Sequence, residues 1–234
     1  MNHMCRAVVV AAGSGRRMGG DIPKQFMELD AKPILVHTLF RFDSTELIDD
    51  ITVVIADNYI DYVQRQILDI YKFNKPITLV SGADERQASV YNGLRALPTD
   101  TDIVVIHDGV RPFITEELIE ESISMARHCG AAVVGVPLKD TIKKVSKDGH
   151  IKKTVDRGDL WAVQTPQTFR YDIILDAHRQ ALEDGFTGTD DAILVERLGI
   201  GVNMIQGSYD NIKITTREDM YIAKALLKDM RGGI

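Results

Sequence analysis

Short apolar runs alternate with amphipathic stretches along the first part of the chain. The apolar runs are rich in valine and isoleucine and predict strands at residues 7–11, 51–55, 77–80, 103–106 and 132–136. Between them, apolar residues recur at helical spacing and predict helices around residues 34–42, 59–71, 86–96 and 116–128. Because the strands lack polar alternation, helices should cover both of their faces. The pattern predicts an α/β fold with a doubly wound, mostly parallel, Rossmann-like sheet.

The pattern changes between residues 138 and 161, where charged residues alternate with Thr, Val and Ile around the turn Ser146-Lys147-Asp148-Gly149. This segment predicts an inserted β-hairpin arm. It is too polar to form a core alone, so it either packs on its own domain or reaches towards a second subunit. Beyond it, the pattern predicts helices at 171–184 and 190–198, strands at 202–205 and 212–215, and a closing helix from Arg217. Since no linker or repeat interrupts the chain, we expect one domain spanning residues 1–234.

The composition, with 44 % hydrophobic and 26 % charged residues, is typical of a globular protein. A net charge of −6 argues against nucleic acid or an anionic membrane surface as the main partner, so any anion site must be built locally. Cys5 and Cys129 are far apart, show no metal-ligand spacing and are expected to be reduced thiols. No apolar run approaches the ~18 residues that span a bilayer, and the start of the chain has no leader pattern. We therefore expect a cytoplasmic protein.

A glycine-rich loop, Ala11-Ala12-Gly13-Ser14-Gly15-Arg16-Arg17-Met18, directly follows the first predicted strand. Glycines there allow backbone N–H groups to approach phosphate oxygens closely. The loop is not a P-loop, and Met18 takes the place of the third glycine of a dinucleotide-binding loop. Arginines in the loop, together with Lys24, supply cations that suit phosphate. The alternative interpretation is a solvated basic loop, but cations beside a glycine cradle favour phosphate binding.

Asp108 follows the predicted strand at 103–106 and should therefore lie at the carboxyl end of the sheet, where α/β proteins bind ligands. A carboxylate there can hold a Mg²⁺ ion that bridges triphosphate oxygens, since Mg²⁺ needs only one or two protein carboxylates besides phosphates and water. The alternative is an aspartate that caps the next loop; Arg111 nearby favours the functional interpretation. His107 is expected to be a packed neighbour rather than a general base.

Several further motifs stand in a fixed order along nearly the whole chain. They are Gly82-Ala83-Asp84-Glu85-Arg86 with Ser89-Val90, His107-Asp108-Gly109-Val110-Arg111-Pro112, Asp140-Thr141, Thr154-Val155-Asp156-Arg157, Gln164-Thr165-Pro166-Gln167, Thr189-Asp190 and Asp210-Asn211-Ile212-Lys213. With the glycine loop and Pro23-Lys24-Gln25, this ordered set resembles the sugar-phosphate nucleotidyltransferases, and most closely the cytidylyltransferases of the non-mevalonate isoprenoid pathway. The resemblance implies the nucleotide-diphospho-sugar transferase fold. It also implies transfer of a cytidylyl group from CTP to 2-C-methyl-D-erythritol 4-phosphate, with release of pyrophosphate.

The resemblance assigns roles to particular residues. The residues expected to bind CTP are Ala12, Gly13, Ser14, Gly15, Gly82, Ser89 and Asp108. The cations expected to act at the reacting phosphates are Arg17, Lys24 and Lys213. The residues expected to bind the polyol phosphate are Arg111, Thr141, Arg157, Thr165, Thr189 and Asp210. Asp108 is the expected Mg²⁺ ligand, and the arm implies a homodimer in which each subunit contributes to its neighbour's acceptor site.

The acceptor is a phosphate monoester that is largely dianionic near neutral pH, so it can attack the α-phosphorus of CTP without a protein base. The sequence accordingly has no nucleophile–base arrangement. The nearest alternative is a ribitol-5-phosphate cytidylyltransferase, against which Arg157 is the main discriminator. Two other classes are a nicotinamide-dependent oxidoreductase, opposed by Met18 and the missing ribose-binding acid, and a non-catalytic nucleotide-binding regulator, opposed by the joint presence of Lys24, Asp108 and Lys213.

Overall fold

The computed structural model of the chain describes residues 4–13 and 22–232. The strands are β1 Met4–Val10, β2 Glu28–Leu29, β3 Lys32–Pro33, β4 Asp50–Ile55, β5 Ile77–Ser81, β6 Thr101–Asp108, β7 Ala131–Pro137, β8 Ile142–Val145, β9 Ile151–Val155, β10 Trp161–Arg170 and β11 Asn203–Gln206. The helices are α1 Ile34–Ser44, α2 Ile60–Val63, α3 Arg86–Ala96, α4 Glu116–Cys129, α5 Tyr171–Glu183, α6 Ala192–Arg197 and α7 Arg217–Gly232.

Within these described ranges, seven strands form the central sheet in the order β11-β7-β10-β6-β1-β4-β5. Strand β1 runs parallel to both β4 and β6, β4 runs parallel to β5, and β11 runs parallel to β7. Strand β10 is antiparallel to its two neighbours, β6 and β7. The prediction of a mostly parallel sheet is thus confirmed, and the carboxyl ends of β1, β4, β5 and β6 meet at one edge.

Apolar side chains leave both faces of this sheet. In β1, Ala7 and Val9 point into a cluster with residues of α1, α2 and α4, while Val8 points into a cluster with residues of α3, α5 and α6. This arrangement explains why the strands read as continuous apolar runs, since each face is covered by its own helices. Two of the covering residues are Phe42 and Ile174, both fully buried. The doubly wound architecture is confirmed.

The predicted hairpin is present in the arm. Strands β8 and β9 pair antiparallel, with Ile142 opposite Val155, and the backbone N–H of Ser146 donates to the carbonyl of His150 across the turn. Most arm side chains between residues 139 and 159 are exposed. In the part of the chain that the structure describes, no helix is both long enough and apolar enough to cross a bilayer.

Three element predictions need correction. The predicted strand at 212–215 is wrong: Ile212 N–H donates to the nearby carbonyl of Asp210, Ile214 N–H donates to the carbonyl of Val110, and the apolar residues of the segment pack with α7 instead of pairing in a sheet. Strand β10 was not predicted, because proline and polar residues at 164–167 are unfavourable in a central strand. The predicted helix at 59–71 begins at Asp57 and ends at Leu68, with 3₁₀, α and π turns in succession.

Candidate active site

A cavity of about 540 Å³ opens at the edge where the parallel strands end. Loops that follow β1, β4, β5 and β6 line it, as expected of a ligand site in an α/β sheet. Its lining residues are Val10, Ala11, Ala12, Gly13, Lys24, Gln25, Ala56, Asp57, Asn58, Gly82, Ala83, Asp84, Glu85, Arg86, Ser89, Asp108, Val110 and Lys213. The predicted CTP residues within the described ranges therefore come together here.

Gln25 fixes the described part of the glycine loop through two hydrogen bonds. Its buried side-chain amide donates to the carbonyl of Ala11 at 2.7 Å and to that of Gly13 at 3.1 Å. From the other side, Gly82 comes so close that a Cβ atom on it would lie 2.4 Å from the Cβ of Ala12, so only glycine fits. Ser14, Gly15 and Arg17 lie outside the described residues.

Ser89 lines the same cavity, but its hydroxyl is engaged by the protein. It accepts from the backbone N–H of Ala83 at 2.9 Å and donates to the carbonyl of Ala83 at 3.1 Å. The side chain is buried on the first half of α3. Ser89 thus shapes the turn that connects β5 to α3, and any contact it makes with a nucleotide base adds to that role.

Asp108, the last residue of β6, lies at the centre of a cluster of cations. Its Oδ2 atom is 2.8 Å from Lys213 Nζ and 3.5 Å from Arg111 Nε, and its Oδ1 atom is 3.4 Å from Arg86 Nε. A second cavity of about 290 Å³ lies on the other side of this cluster. Arg86, Asp108 and Lys213 line both cavities, so these three side chains form the wall between them.

The charges in this wall are fixed. Burial raises the pKa of Asp108, but the nearby Arg86, Lys213 and Arg111 outweigh burial and hold that pKa well below its usual range. For Arg86, burial lowers the pKa, and the carboxylates Asp191 and Asp108 together raise it above its ordinary value. The carboxylate and the guanidinium both stay ionised at neutral pH.

Lys213 reaches the wall from a loop that β10 holds in place. The buried Asn211 donates to the carbonyl of Thr165 at 2.9 Å and to Gln164 Oε1 at 3.2 Å. Gln164 in turn donates to the carbonyl of Ser208. These bonds between β10 and residues 208–211 therefore position the lysine that follows.

His107 is buried beside Asp108 and bonded through both ring nitrogens. Nε2 donates to the carbonyl of Arg111 at 3.1 Å, so Nδ1 accepts from the hydroxyl of Thr165, also at 3.1 Å. The same hydroxyl accepts from the backbone N–H of Asp108 at 3.0 Å. Burial lowers the pKa of His107 to about 4, so the ring is neutral at physiological pH. With no lone pair left for a substrate, His107 fits the expected packed neighbour rather than a general base.

The predicted acceptor residues divide into two groups. Arg111, Thr165 and Thr189 line the second cavity, although the hydroxyl of Thr165 is occupied by His107 and Asp108 as described above. Thr141, Arg157 and Asp210 are exposed and line neither cavity. A single chain therefore brings only the first group together.

Asp108 has the chemistry to hold a divalent cation. Over residues 4–13 and 22–232, no group of three or more His, Cys, Asp and Glu side chains is arranged to hold a metal ion. Mg²⁺ nevertheless binds through one or two carboxylates when phosphates and water supply the other ligands. Oδ1 of Asp108 has only a long contact with Arg86, whereas Oδ2 is bonded to Lys213. The residues present therefore fit such an ion.

Arg86 is the wall residue to which sequence reasoning gave no role. It is the first residue of α3, where the helix dipole disfavours a cation. That violation of a local rule was the available signal, because such violations concentrate at functional sites. Its two carboxylate partners come from β6 and from residue 191, far away in sequence, and no local pattern could reveal them.

Comparison with known proteins gives one consistent result. The family model described as 2-C-methyl-D-erythritol 4-phosphate cytidylyltransferase matches residues 5–229. Proteins of that name from Alkaliphilus oremlandii and Clostridioides difficile are 46% and 50% identical to this chain over 226 and 224 residues. These alignments cover 97% and 96% of this chain, and 96% and 94% of the relatives. The crystal structure of 4-diphosphocytidyl-2C-methyl-D-erythritol synthase from Anaerococcus prevotii superposes with a TM-score of 0.85 at 35% identity, covering 97% of this chain and 96% of that one.

Proposed function

The chain belongs to the 2-C-methyl-D-erythritol 4-phosphate cytidylyltransferase family, and from this premise we propose that it transfers the cytidylyl group of CTP to 2-C-methyl-D-erythritol 4-phosphate. The products are 4-diphosphocytidyl-2-C-methyl-D-erythritol and pyrophosphate. The observation that carries the proposal is the wall of Arg86, Asp108 and Lys213, because it lines two neighbouring cavities at once. Two anionic reactants on its two sides would meet at the same cations.

The larger cavity suits CTP. Backbone N–H groups of the loop after β1 would face the triphosphate, and the base would lie beside Gly82 and Ser89, which line the same cavity. Lys24 lines this cavity and would bind the phosphates as a compact point charge. Ser14, Gly15 and Arg17 are assigned to the same triphosphate on the family pattern alone.

We propose Mg²⁺ as the divalent cation that Asp108 binds together with the triphosphate. When bound, the ion would neutralise part of the negative charge on the phosphates. Lys213 would remain beside Oδ2 of the same carboxylate, and Oδ1, whose contact with Arg86 is long, would be the oxygen offered to the metal ion. The protein's task is to keep these charges fixed while two anions approach each other.

The chemical step needs no protein base. The phosphate of the acceptor attacks the α-phosphorus of CTP directly, and the bond from that phosphorus to the departing pyrophosphate breaks. The neutral, fully bonded His107 is consistent with this, as it cannot take a proton from a substrate. Lys24, Lys213 and Arg17 are proposed to stabilise the charge that develops on the phosphoryl oxygens and the leaving group.

The acceptor is proposed to bind in the smaller cavity beside Arg111 and Thr189. Asp210, Thr141 and Arg157 would complete that site. The latter two belong to the exposed arm, so we propose a homodimer in which each arm reaches the acceptor site of the other subunit. Val145 and Ile151 of the arm are more than half exposed in the single chain, as expected of residues that a partner covers.

Pyrophosphate release tests the proposed reaction. The purified protein is incubated with CTP, Mg²⁺ and either 2-C-methyl-D-erythritol 4-phosphate or ribitol 5-phosphate. Release should depend on the first acceptor, since the family model and the relatives named above all carry its name. The ribitol alternative is not favoured. Faster release with ribitol 5-phosphate would overturn the acceptor assignment, and no release with either would overturn the transferase itself.

A further inference from the structure

Asp191 carries a buried carboxylate that none of the roles above uses. It stands at the start of α6 with a side chain only 1% exposed. It does not cap the helix, because the carboxylate of the neighbouring Asp190 accepts from Ile193 N–H at 3.2 Å. A buried carboxylate is costly unless it is paired, so its partners indicate what it is for.

The close partner of this carboxylate is Arg86. Arg86 Nη1 lies 2.8 Å from Asp191 Oδ2, whereas Arg86 Nε lies 3.4 Å from Asp108 Oδ1. Asp108 also contacts Lys213 and Arg111. Asp191 contacts Arg86 and lines neither cavity. The guanidinium at the wall between the cavities therefore lies between two carboxylates, with its shorter charge contact to Asp191 and a long hydrogen bond to Asp108.

Asp191 is itself enclosed by other buried groups. Its backbone N–H donates to Gln167 Oε1 at 3.0 Å, and its Oδ1 atom lies 3.3 Å from Nε2 of the buried His178. The ring of His178 stacks on Tyr91 of α3, with centroids 5.9 Å apart and planes 2° from parallel. Gln167 of β10 thus holds the backbone of Asp191, and His178 of α5 lies against its carboxylate, so the residue is enclosed in a way that suits the task of aiming another side chain.

We propose that Asp191 is a positioning residue for cytidylyl transfer, which it serves by holding the Arg86 guanidinium in the wall between the two cavities. The inference rests on the proposed function. Asp108 is the carboxylate that reactants engage, and Arg86 then keeps Asp191 as its counter-charge and stays in place. Without the charge on Asp191, Arg86 is free to turn fully onto Asp108 and neutralise it, which misplaces both groups for the reaction.

A double-mutant cycle tests this role. The variants are Asp191→Asn, Arg86→Ala and the combination of the two, with Asp191→Glu as the conservative replacement. The matched control is Asp50→Asn, which removes one of the two carboxylate partners of the buried Arg6 at the opposite, amino-terminal edge of the sheet. For each protein, kcat, KM for CTP, KM for the acceptor and the melting temperature are measured.

Asp191→Asn should lower kcat by at least ~10-fold while both KM values change by less than ~3-fold, because geometry at the reacting phosphates is lost rather than ground-state binding. Asp191→Glu should retain more kcat than Asp191→Asn. The double variant should be no slower than Arg86→Ala, since Asp191 acts through that arginine. Asp50→Asn should change the melting temperature only.

Additive losses in the double variant would overturn the proposal, as would an unchanged kcat in Asp191→Asn. If Asp191→Asn does not fold, guanidinium ion is added to the Arg86→Ala variant instead. Because Asp191 is intact in that variant and can still bind the ion, kcat should recover in part. No recovery would contradict the positioning role of Asp191. Wild-type pyrophosphate release is measured in the same series. An inactive wild type would count against the proposed function. An active wild type whose kcat is unchanged in the Asp191 variants would count only against the role of Asp191.

Discussion

Lys213 and Lys24 are the single residues whose loss should matter most for turnover. Lys213 is bonded to Asp108 in the wall, and Lys24 lines the larger cavity. Replacing either by Ala should lower kcat by at least about 100-fold, comparable to the loss of one transition-state donor. Steady-state pyrophosphate release measures the effect, and the exposed Lys228→Ala variant on α7 is the control. Near-normal turnover in both lysine variants would remove their proposed role.

The buried His107 should make the stability of the protein depend on pH. Burial lowers its pKa from 6.5 to about 4 in the folded protein, so between these values the unfolded chain binds more protons than the native one. The free energy of unfolding should therefore fall as the pH falls from 6.5 towards about 4, and the contribution of His107 is complete above that window.

Denaturant titration across this window measures the slope. His107→Gln should reduce the slope, since an amide keeps hydrogen-bonding capacity without a titrating proton. The exposed His150→Gln variant is the control. An identical slope for His107→Gln and wild type would show that the buried ring is not the source.

At the same scale, the sequence predicted the residues whose signal is local. Asp108 and Lys213 were expected at the site and are 2.8 Å apart there. Arg86 was missed because its meaning depends on two distant carboxylates. Thr165 was expected to bind the acceptor, yet its hydroxyl is bonded to His107 and Asp108 within the fold. The sequence motif does not reveal whether a hydroxyl will hydrogen-bond to the protein or to a substrate.

Among the elements, helix α3 links packing to chemistry, because it begins with Arg86 and carries Ser89. A Cβ atom on Gly93 of this helix would lie 2.7 Å from side-chain atoms of Val8 and Val54 in the sheet. Gly93→Ala should therefore push the helix outward and destabilise the protein by about 1–3 kcal/mol, despite the better helix propensity of alanine.

Thermal melting and kcat together measure the effect of Gly93→Ala. Both should fall, because displacement of α3 also displaces Arg86. The control is Gly201→Ala, where an added Cβ would meet nothing within 4 Å. A Gly93→Ala protein with wild-type kcat would show that the position of α3 is not coupled to the site.

Elements with a clean hydrophobic period were predicted well, as β1, β4 and β6 illustrate. Strand β10 escaped detection since its centre, Gln164 to Gln167, is polar and contains a proline. The opposite error occurred at 212–215, where apolar residues pack beneath α7 without a strand partner. Apolar periodicity indicates burial, and whether a buried segment pairs in a sheet depends on contacts that lie elsewhere in the chain.

The whole molecule carries a net charge of −6, whereas Arg86 and Lys213 place positive charge in the wall between the cavities. The proposed anion site is therefore formed by a few local residues within an acidic protein. In the proposed homodimer, the arm of the second chain would complete this site. Its expected substrate residues, Thr141 and Arg157, are exposed and line neither cavity of their own chain.

Subunit complementation tests the shared site. Arg157→Ala and Lys213→Ala chains are co-expressed with different tags, and the mixed dimer is purified. If each arm serves the other subunit, the mixed dimer holds one intact site and should show about half of the wild-type activity, while either homodimer is nearly inactive. A mixed dimer as inactive as the homodimers would contradict the proposed arrangement.

The central claim is that an oxygen of the acceptor phosphate forms the new bond to the α-phosphorus of CTP within this site, and isotope transfer in a single turnover tests it most directly. The acceptor is 2-C-methyl-D-erythritol 4-phosphate whose non-ester phosphate oxygens carry a heavy oxygen isotope. The account predicts that the cytidylylated product retains all of the label, including the oxygen that bridges its two phosphorus atoms, and that the released pyrophosphate contains none. Label in the pyrophosphate, or no cytidylylated product, would contradict it.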